Sequence, residues 1–133
     1  MYRKKILLID DDSHILDILE ARLEKSGYSC LRAMEGIKAL KLVEEEHPDL
    51  IILDILLPGE LDGYTLCKQL KTDIRFNKIP VILLSGLDEE YHIQEGLKRG
   101  ADAYITKPFQ HEDLIAKIEE LIRKREEKLP ADD

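Results

Sequence analysis

The fold is set by the stretch Pro48-Asp49-Leu50-Ile51-Ile52-Leu53-Asp54. Its continuous run of leucine and isoleucine predicts a strand that is buried on both faces, as in a parallel sheet. The run ends at Asp54, and a turn over residues 58–63 follows. Open sheets of parallel strands bind ligands at the carboxyl ends of their strands. We therefore expect Asp54 to be a chemical group at such an edge, with the rest of the chain placing partners around it.

The composition is that of one globular domain of 133 residues, with 44% hydrophobic and 36% charged residues. The net charge of −8 argues against direct binding to nucleic acid or to an anionic membrane. The sequence contains no apolar run long enough to cross a bilayer. Cys30 and Cys67 lie far apart without metal-type spacing, so we expect free thiols and a cytoplasmic location.

Segments of strand character alternate with segments of helical periodicity along the whole chain. The other predicted strands are residues 5–9, 28–33, 80–84 and 101–106. The first predicted helix has Ser13 as a candidate cap and ends at Gly27, and Asp12 before it is expected to be a cap or a solvent-facing acid rather than a ligand. The other predicted helices are one carrying Ala39, Leu40 and Val43, one capped by Asp62, one from Asp88 to Gly100, and one over residues 113–128. Residues 72–78 lack periodicity and are predicted to form a loop.

This alternation predicts an α/β fold, a doubly wound parallel sheet of five strands with five helices on its two faces. The common strand order for such a flavodoxin-like sheet is 2-1-3-4-5. Strand 2 is added on one side of strand 1 and strands 3 to 5 on the other, and this change of direction opens a crevice between strands 1 and 3. In this order strand 1 delivers Asp10 and Asp11 to the crevice and strand 3 delivers Asp54. Strands 4 and 5 deliver Ser85 and Lys107 to the same edge.

These five groups have the chemistry that phosphoryl transfer needs. Three crowded carboxylates repel one another unless a cation joins them, and their hard oxygen ligands suit Mg²⁺. A hydroxyl and an ammonium opposite would hold the remaining phosphoryl oxygens. The nucleophile expected here is a carboxylate, because no cysteine or histidine stands at a strand end. Gly86 leaves space beside Asp54 for a phosphoryl group.

At this point the chain resembles the receiver domains of response regulators, the phosphoacceptor modules of two-component signalling. The resemblance runs from about residue 4 to residue 122. It depends on motifs that are weak singly and specific in this order: Ile-Leu-Leu-Ile-Asp10-Asp11-Asp12, Pro-Asp-Leu-Ile-Ile-Leu-Asp54, Pro58-Gly59 with Asp62-Gly63, Pro80-Val-Ile-Leu-Leu-Ser85, and Gly-Ala-Asp-Ala-Tyr104-Ile-Thr-Lys107-Pro108-Phe109.

The resemblance implies a role for each group. Asp54 would accept the phosphoryl group from a phosphohistidine on a sensor histidine kinase or a phosphotransfer protein. Asp11, with help from Asp10, would hold Mg²⁺ together with Asp54 and the backbone carbonyl of Leu56. Ser85, Gly86 and Lys107 would bind the phosphoryl group, and the Lys107–Pro108 bond would be cis. Tyr104 would move inward with Ser85 and change the surface of helix 4, strand 5 and helix 5.

Two departures from the family pattern stand out. The turn at 58–63 is one residue longer than the usual Pro-Gly-x-Asp-Gly, and Ser85-Gly86 replaces the commoner Ser-Ala or Thr-Ala. The longer turn affects the loop beside the metal and its contact with a kinase. Neither departure removes a chemical group.

Two rival functions remain open at this stage. In a haloacid-dehalogenase-like phosphatase Asp10 would be the nucleophile and Asp12 the acid and base. Such an enzyme also needs an acidic metal-binding pair at a strand end after the lysine, which Glu112 and Asp113 match poorly. It would leave Asp54 without a role. A degenerate receiver would bind partners without accepting phosphate.

The sequence leaves the output open. We assign residues 1–125 to the receiver domain and 126–133 to a charged C-terminal tail or the start of a linker, as a stand-alone protein or a part of a larger regulator or hybrid kinase. We expect no enzymatic activity beyond promotion of its own phosphorylation and dephosphorylation. We also expect a monomer before phosphorylation, with a dimer through the last helices as the alternative after it.

Overall fold

The computed structural model describes residues 2–128, in which strands and helices alternate. In chain order the elements are β1 (Lys5–Ile9), α1 (Ser13–Lys25), β2 (Ser29–Ala33), α2 (Gly36–Glu46), β3 (Leu50–Leu53), α3 (Gly63–Thr72), β4 (Val81–Ser85), α4 (Glu90–Lys98), β5 (Ala103–Thr106) and α5 (His111–Lys128). The helix α5 includes residues 126–128 of the predicted tail, and the remaining tail residues lie outside the described part of the chain.

The five strands form one parallel sheet in the order β2-β1-β3-β4-β5. Because parallel neighbours cannot be joined by a tight turn, each connection crosses over through a helix. The strand β1 pairs with both β2 and β3, so that Ile9 lies beside Ala33 and Leu53 at the carboxyl edge. The predicted fold class and strand order are confirmed.

Apolar side chains form one layer on each face of the sheet. On β1, Leu7 and Ile9 face the layer that α2 and α3 cover, whereas Ile6 and Leu8 face the layer that α1 and α5 cover. Burial on both faces explains why the strands are unbroken apolar runs rather than alternating patterns. A charged residue at the end of such a run therefore marks the point where the chain leaves the core.

The start of α1 decides between the two candidate caps, Asp12 and Ser13. Asp12, not Ser13, is the N-cap, because the Asp12 carboxylate accepts a hydrogen bond from the His14 N–H at 2.9 Å. Ser13 is the first helical residue. Serine and aspartate are about equally good caps, so the local sequence could not decide between adjacent candidates.

Two other helices begin two residues away from their predicted starts. The helix α4 begins at Glu90 rather than Asp88, and no side chain caps it. The helix α5 begins at His111 rather than Asp113, since the Leu114 N–H bonds to the Gln110 carbonyl at 3.2 Å and adds an early turn.

The predicted loop over residues 72–78 is a series of turns that contributes to the core. Phe76 is 2% exposed and packs into the layer below α2 and α3. Its burial was not predicted, because a single aromatic residue among polar neighbours has no periodicity to report it.

Cys30 and Cys67 are free thiols, as expected. Within the described residues, every helix is too short or too polar to cross a lipid bilayer.

Candidate functional site

Three carboxylates gather at the carboxyl edge of the sheet, between β1 and β3. Asp10 follows β1 and Asp54 follows β3, and these residues are only 4% and 9% exposed. Asp11 lies on the adjoining loop and is exposed. One carboxylate oxygen from each of the three acids lies within 4.8 Å of the other two. The parallel register of β1 and β3 produces this cluster, because it brings both strand ends to the same level of the sheet.

Lys107 joins the two buried acids. It follows β5, and its Nζ lies 2.8 Å from an Asp10 oxygen and 3.2 Å from an Asp54 oxygen. The Lys107 backbone N–H donates to the Ser85 carbonyl at 2.8 Å, which ties the start of the following loop to the end of β4. The peptide bond between Lys107 and Pro108 is cis.

The cluster keeps a negative charge that this ammonium does not cancel. Three carboxylates and one ammonium leave two negative charges. Burial raises the pKa of Asp10, although the Lys107 ammonium and the Asp12 N–H favour its charged form. Burial lowers the pKa of Lys107, but the hydrogen bonds and charges of Asp10 and Asp54 outweigh that effect and raise it overall. A divalent cation would balance the remaining charge.

Ser85 ends β4, the strand between those that carry Asp54 and Lys107. Its side chain is fully buried, and its Oγ accepts the Leu87 N–H at 3.3 Å. At Gly86, an added Cβ would meet no atom within 4 Å, so the backbone beside the hydroxyl borders open space. On the other side of Asp54, the Leu56 N–H lies 3.4 Å from an Asp54 oxygen.

Tyr104 on β5 is linked to Ser85 through the backbone of Leu87. The Tyr104 hydroxyl donates to the Leu87 carbonyl at 2.6 Å, while the N–H of the same residue bonds to Ser85 Oγ. Burial raises the pKa of Tyr104 to about 12, so the hydroxyl remains a donor at neutral pH. Its ring packs against α4 at Gly96, where an added Cβ would lie 3.1 Å from the ring. A movement of the β4–α4 loop would therefore reach both side chains.

Comparison with known proteins identifies the family. Residues 6–119 match the family model for the response regulator receiver domain. The chain belongs to this family. It is thus a receiver domain of two-component signalling, a class of domain that serves as phosphoacceptor.

The relatives and the solved structures agree with this assignment. The chain is 42% identical over 128 residues to the alkaline phosphatase synthesis transcriptional regulatory protein PhoP of Bacillus subtilis (strain 168), which covers 96% of this chain and 52% of that protein. It is 41% identical over 126 residues to the DNA-binding dual master transcriptional regulator RpaA of Synechocystis sp. (strain ATCC 27184 / PCC 6803 / Kazusa), with 95% and 52% covered. The chain spans about half the length of these relatives.

Two solved receiver structures match nearly the whole fold. A CheY-like response regulator receiver domain protein from Methanospirillum hungatei JF-1 superposes with a TM-score of 0.88 at 32% identity and covers 96% of this chain and 100% of that one. The signal receiver domain of a signal transduction histidine kinase from Syntrophus aciditrophicus gives 0.87 at 33% identity, covering 98% and 97%.

The geometry of this receiver domain also disfavours the phosphatase alternative. The Asp12 carboxylate caps α1 instead of facing the cluster as an acid or base. Glu112 and Asp113 lie in the first turn of α5, whereas the phosphatase would need an acidic pair at the end of a strand.

The sequence placed every side chain of the cluster at the correct edge, but it did not single out Leu87. This residue contributes only its backbone N–H and carbonyl to the link between Ser85 and Tyr104. Backbone groups are common to all residues, so no sequence pattern could have identified it.

Proposed function

We propose that Asp54 accepts a phosphoryl group from a phosphohistidine of a sensor histidine kinase or a phosphotransfer protein. A carboxylate oxygen of Asp54 would attack the phosphorus while the bond from phosphorus to the histidine nitrogen breaks. The nitrogen keeps the electron pair of that bond, and an acyl phosphate forms on Asp54. The observation that carries this proposal is the contact of Lys107 with Asp54 and Asp10 inside a cluster of three acids.

The acidic cluster fits Mg²⁺. Its donors are hard carboxylate oxygens, and its two uncompensated negative charges match one divalent ion. Asp11, Asp54 and the backbone carbonyl of Leu56 would hold the ion, with Asp10 acting through water. The bound ion would neutralise charge on the phosphoryl oxygens.

The remaining groups would bind the phosphoryl oxygens. Lys107 already lies 3.2 Å from Asp54, so it would pair with a phosphoryl oxygen attached there after a short movement. Ser85 would donate its hydroxyl, and the open space at Gly86 would admit the group. Each of these contacts is made by a charged or polar donor, the type that binds phosphate most strongly.

Phosphorylation would act on α4, β5 and α5 through Tyr104. If Ser85 turned toward the phosphoryl group, its Oγ would leave the Leu87 N–H, and the loop that holds the Tyr104 hydroxyl would lose a tether. We propose that Tyr104 then moves inward and changes the surface that a downstream partner binds. We further propose a receiver domain of residues 1–125, a cytoplasmic location, no separate enzymatic activity, and a monomer that can dimerise through the last helices once phosphorylated.

The test is labelling with radioactive acetyl phosphate in the presence of Mg²⁺. We expect one labile acyl phosphate, lost in Asp54→Asn and in the presence of EDTA. Asp17→Asn, which removes a carboxylate from the exposed side of α1, is the matched control and should label as the wild type does. A label that remains in Asp54→Asn, or steady hydrolysis of phosphate monoesters that requires Asp10, would refute the assignment.

A further inference from the structure

A basic cavity lies at the opposite edge of the sheet, at the amino ends of β4 and β5. It has a volume of about 200 Å³ and lies between the end of α3, the segment before β4, and the last turns of α5. Its charged lining residues are Lys71, Lys78, Asp102, Lys124, Arg125 and Lys128. Five of the 20 lysine and arginine residues of an acidic protein are thus collected around one small cavity.

Part of this positive charge has a structural explanation. Lys71 pairs with Asp102 at 3.0 Å, and Arg125 lies 3.9 Å from Asp49. The carboxyl ends of α3 and α5 each add about half a negative charge. Within residues 2–128, five cations against two carboxylates and two helix ends still leave about two positive charges.

The excess belongs mainly to two lysines. Among residues 2–128, no carboxylate lies within 4.0 Å of Lys78 or Lys128. Lys124 lies 4.0 Å from Glu120, whose stronger contact is with Lys117 at 2.8 Å. Helix stabilisation therefore accounts for only part of the cluster.

Arg125 adds a directional donor. Its Nη1 donates to the Asp49 carbonyl at 3.1 Å. This contact holds the guanidinium at the wall of the cavity, so its positive charge stays beside the space that a ligand would enter. The edge of a guanidinium matches two oxygens of a phosphate group. The side-chain amide of Asn77 also lines the cavity and offers another donor.

We propose that this cavity binds a phosphate dianion, either as inorganic phosphate or as the phosphate group of a small phosphomonoester. The two positive charges in excess balance such an anion, and Arg125 supplies a guanidinium that Asp49 holds in place. The volume admits a phosphate with a short substituent, since cavities for drug-sized ligands begin at about 300 Å³. This site is separate from the acidic cluster, and its occupation does not depend on the phosphorylation of Asp54.

The test is a titration followed by ¹H–¹⁵N NMR on the full chain, in EDTA and at constant ionic strength. Inorganic phosphate and glycerol phosphate are added in separate arms, and the tighter ligand identifies the source of the group. We expect saturable shifts at the amides of Asn77 and Lys78. Arg125→Gln should weaken binding about tenfold or more, because it removes a positive charge held at the cavity wall and the charge-assisted hydrogen bond that it can donate.

Matched variants separate a built site from diffuse attraction. Arg123→Gln removes the same charge from an exposed position on α5 outside the cavity and should change the affinity less than about twofold. Lys78→Gln should weaken binding without disturbing the Arg125–Asp49 contact, so it tests the proposal even if Arg125→Gln fails to fold. Shifts that do not saturate, equal losses from Arg123→Gln and Arg125→Gln, or loss of binding in Asp54→Asn would each overturn the proposal.

Discussion

Replacing Gly63 by alanine should destabilise the domain, because α3 begins in direct contact with the backbone that follows β3. A Cβ at Gly63 would lie 2.3 Å from the Asp54 carbonyl oxygen and 2.5 Å from the Ile55 Cα. Non-bonded carbon contacts are comfortable at about 3.5 Å, so the helix would have to move by about 1 Å. These are backbone atoms, and no side-chain rotation can relieve the clash.

The magnitude follows from the contacts that would be lost. The Gly63 N–H bonds to the Ile55 carbonyl at 2.9 Å, and the displacement would break this bond at a cost of about 1 kcal/mol. Overpacking adds about 1–3 kcal/mol. The higher helix propensity of alanine returns at most about 1 kcal/mol. We therefore expect the free energy of unfolding to fall by about 1–4 kcal/mol.

Gly86→Ala is the matched control, since it is the same substitution at the other loop beside Asp54. An added Cβ meets no atom there, and the backbone has no positive φ. The variant should be unchanged or more stable by about 0.5 kcal/mol, because alanine restricts the unfolded chain. Urea unfolding followed by circular dichroism measures both variants. If Gly63→Ala proved as stable as Gly86→Ala, the close approach of α3 to Asp54 would be wrong.

Three further predictions concern stability. Burial raises the pKa of Cys67 from 9.0 to about 11, so the folded state keeps a proton that the unfolded state releases, and the free energy of unfolding falls as the pH rises from 9 to 11. Between pH 8 and pH 10 the wild type should lose about 1 kcal/mol more than Cys67→Ala in urea unfolding. Equal losses in the two proteins would contradict this. Asp62→Ala removes the carboxylate that accepts the Thr65 N–H at 2.8 Å and should lower the free energy of unfolding by about 1 kcal/mol, whereas an unchanged urea midpoint would mean that the cap contributes nothing. Ile118→Ala should cost about 2–5 kcal/mol as a fully buried cavity mutant, while Ile74→Ala, at an 89% exposed position, should stay within about 0.5 kcal/mol of the wild type; similar losses in a thermal melt would refute the assignment of α5 to the core.

The sequence predicted the site well because the strands are short, apolar and buried on both faces. Once the strand order is fixed, the residues at the carboxyl end of each strand must lie at one edge, and this places Asp10, Asp54, Ser85 and Lys107 without any knowledge of side-chain positions. What it could not predict were contacts that depend on rotamers or on backbone groups. The bridging position of Lys107 is one such contact, since a long side chain can reach several partners.

Details at the opposite edge were also missed, for the same physical reason. The strand β5 begins at Ala103, two residues after its predicted start, and the Asp102 carboxylate just before it accepts the Val81 N–H at 2.8 Å. The Asp49 carboxylate does the same for the Lys5 N–H at the start of β1. Each is an ordinary polar residue beside a strand, and only the assembled sheet shows which backbone donor it satisfies.

The polarity of the fold explains why the acids and the bases are at opposite edges. In a parallel sheet with crossover helices, the helix amino ends lie at the carboxyl edge of the strands, where their partial positive charge favours anions. The caps Asp12 and Asp62 and the acids Asp10 and Asp54 all occupy that edge. The helix carboxyl ends lie at the other edge and favour cations.

This polarity sets the sign of the charge at each edge but not its amount. At the carboxyl edge, the amino ends of α1 and α3 together supply about one positive charge, which cannot replace a divalent ion beside three carboxylates. At the amino edge, the carboxyl ends of α3 and α5 and the carboxylates of Asp49 and Asp102 together call for about three cations, and five line the cavity. Since repulsion among unneeded like charges destabilises a fold, the surplus at each edge is better explained by a bound counter-charge than by the helices alone.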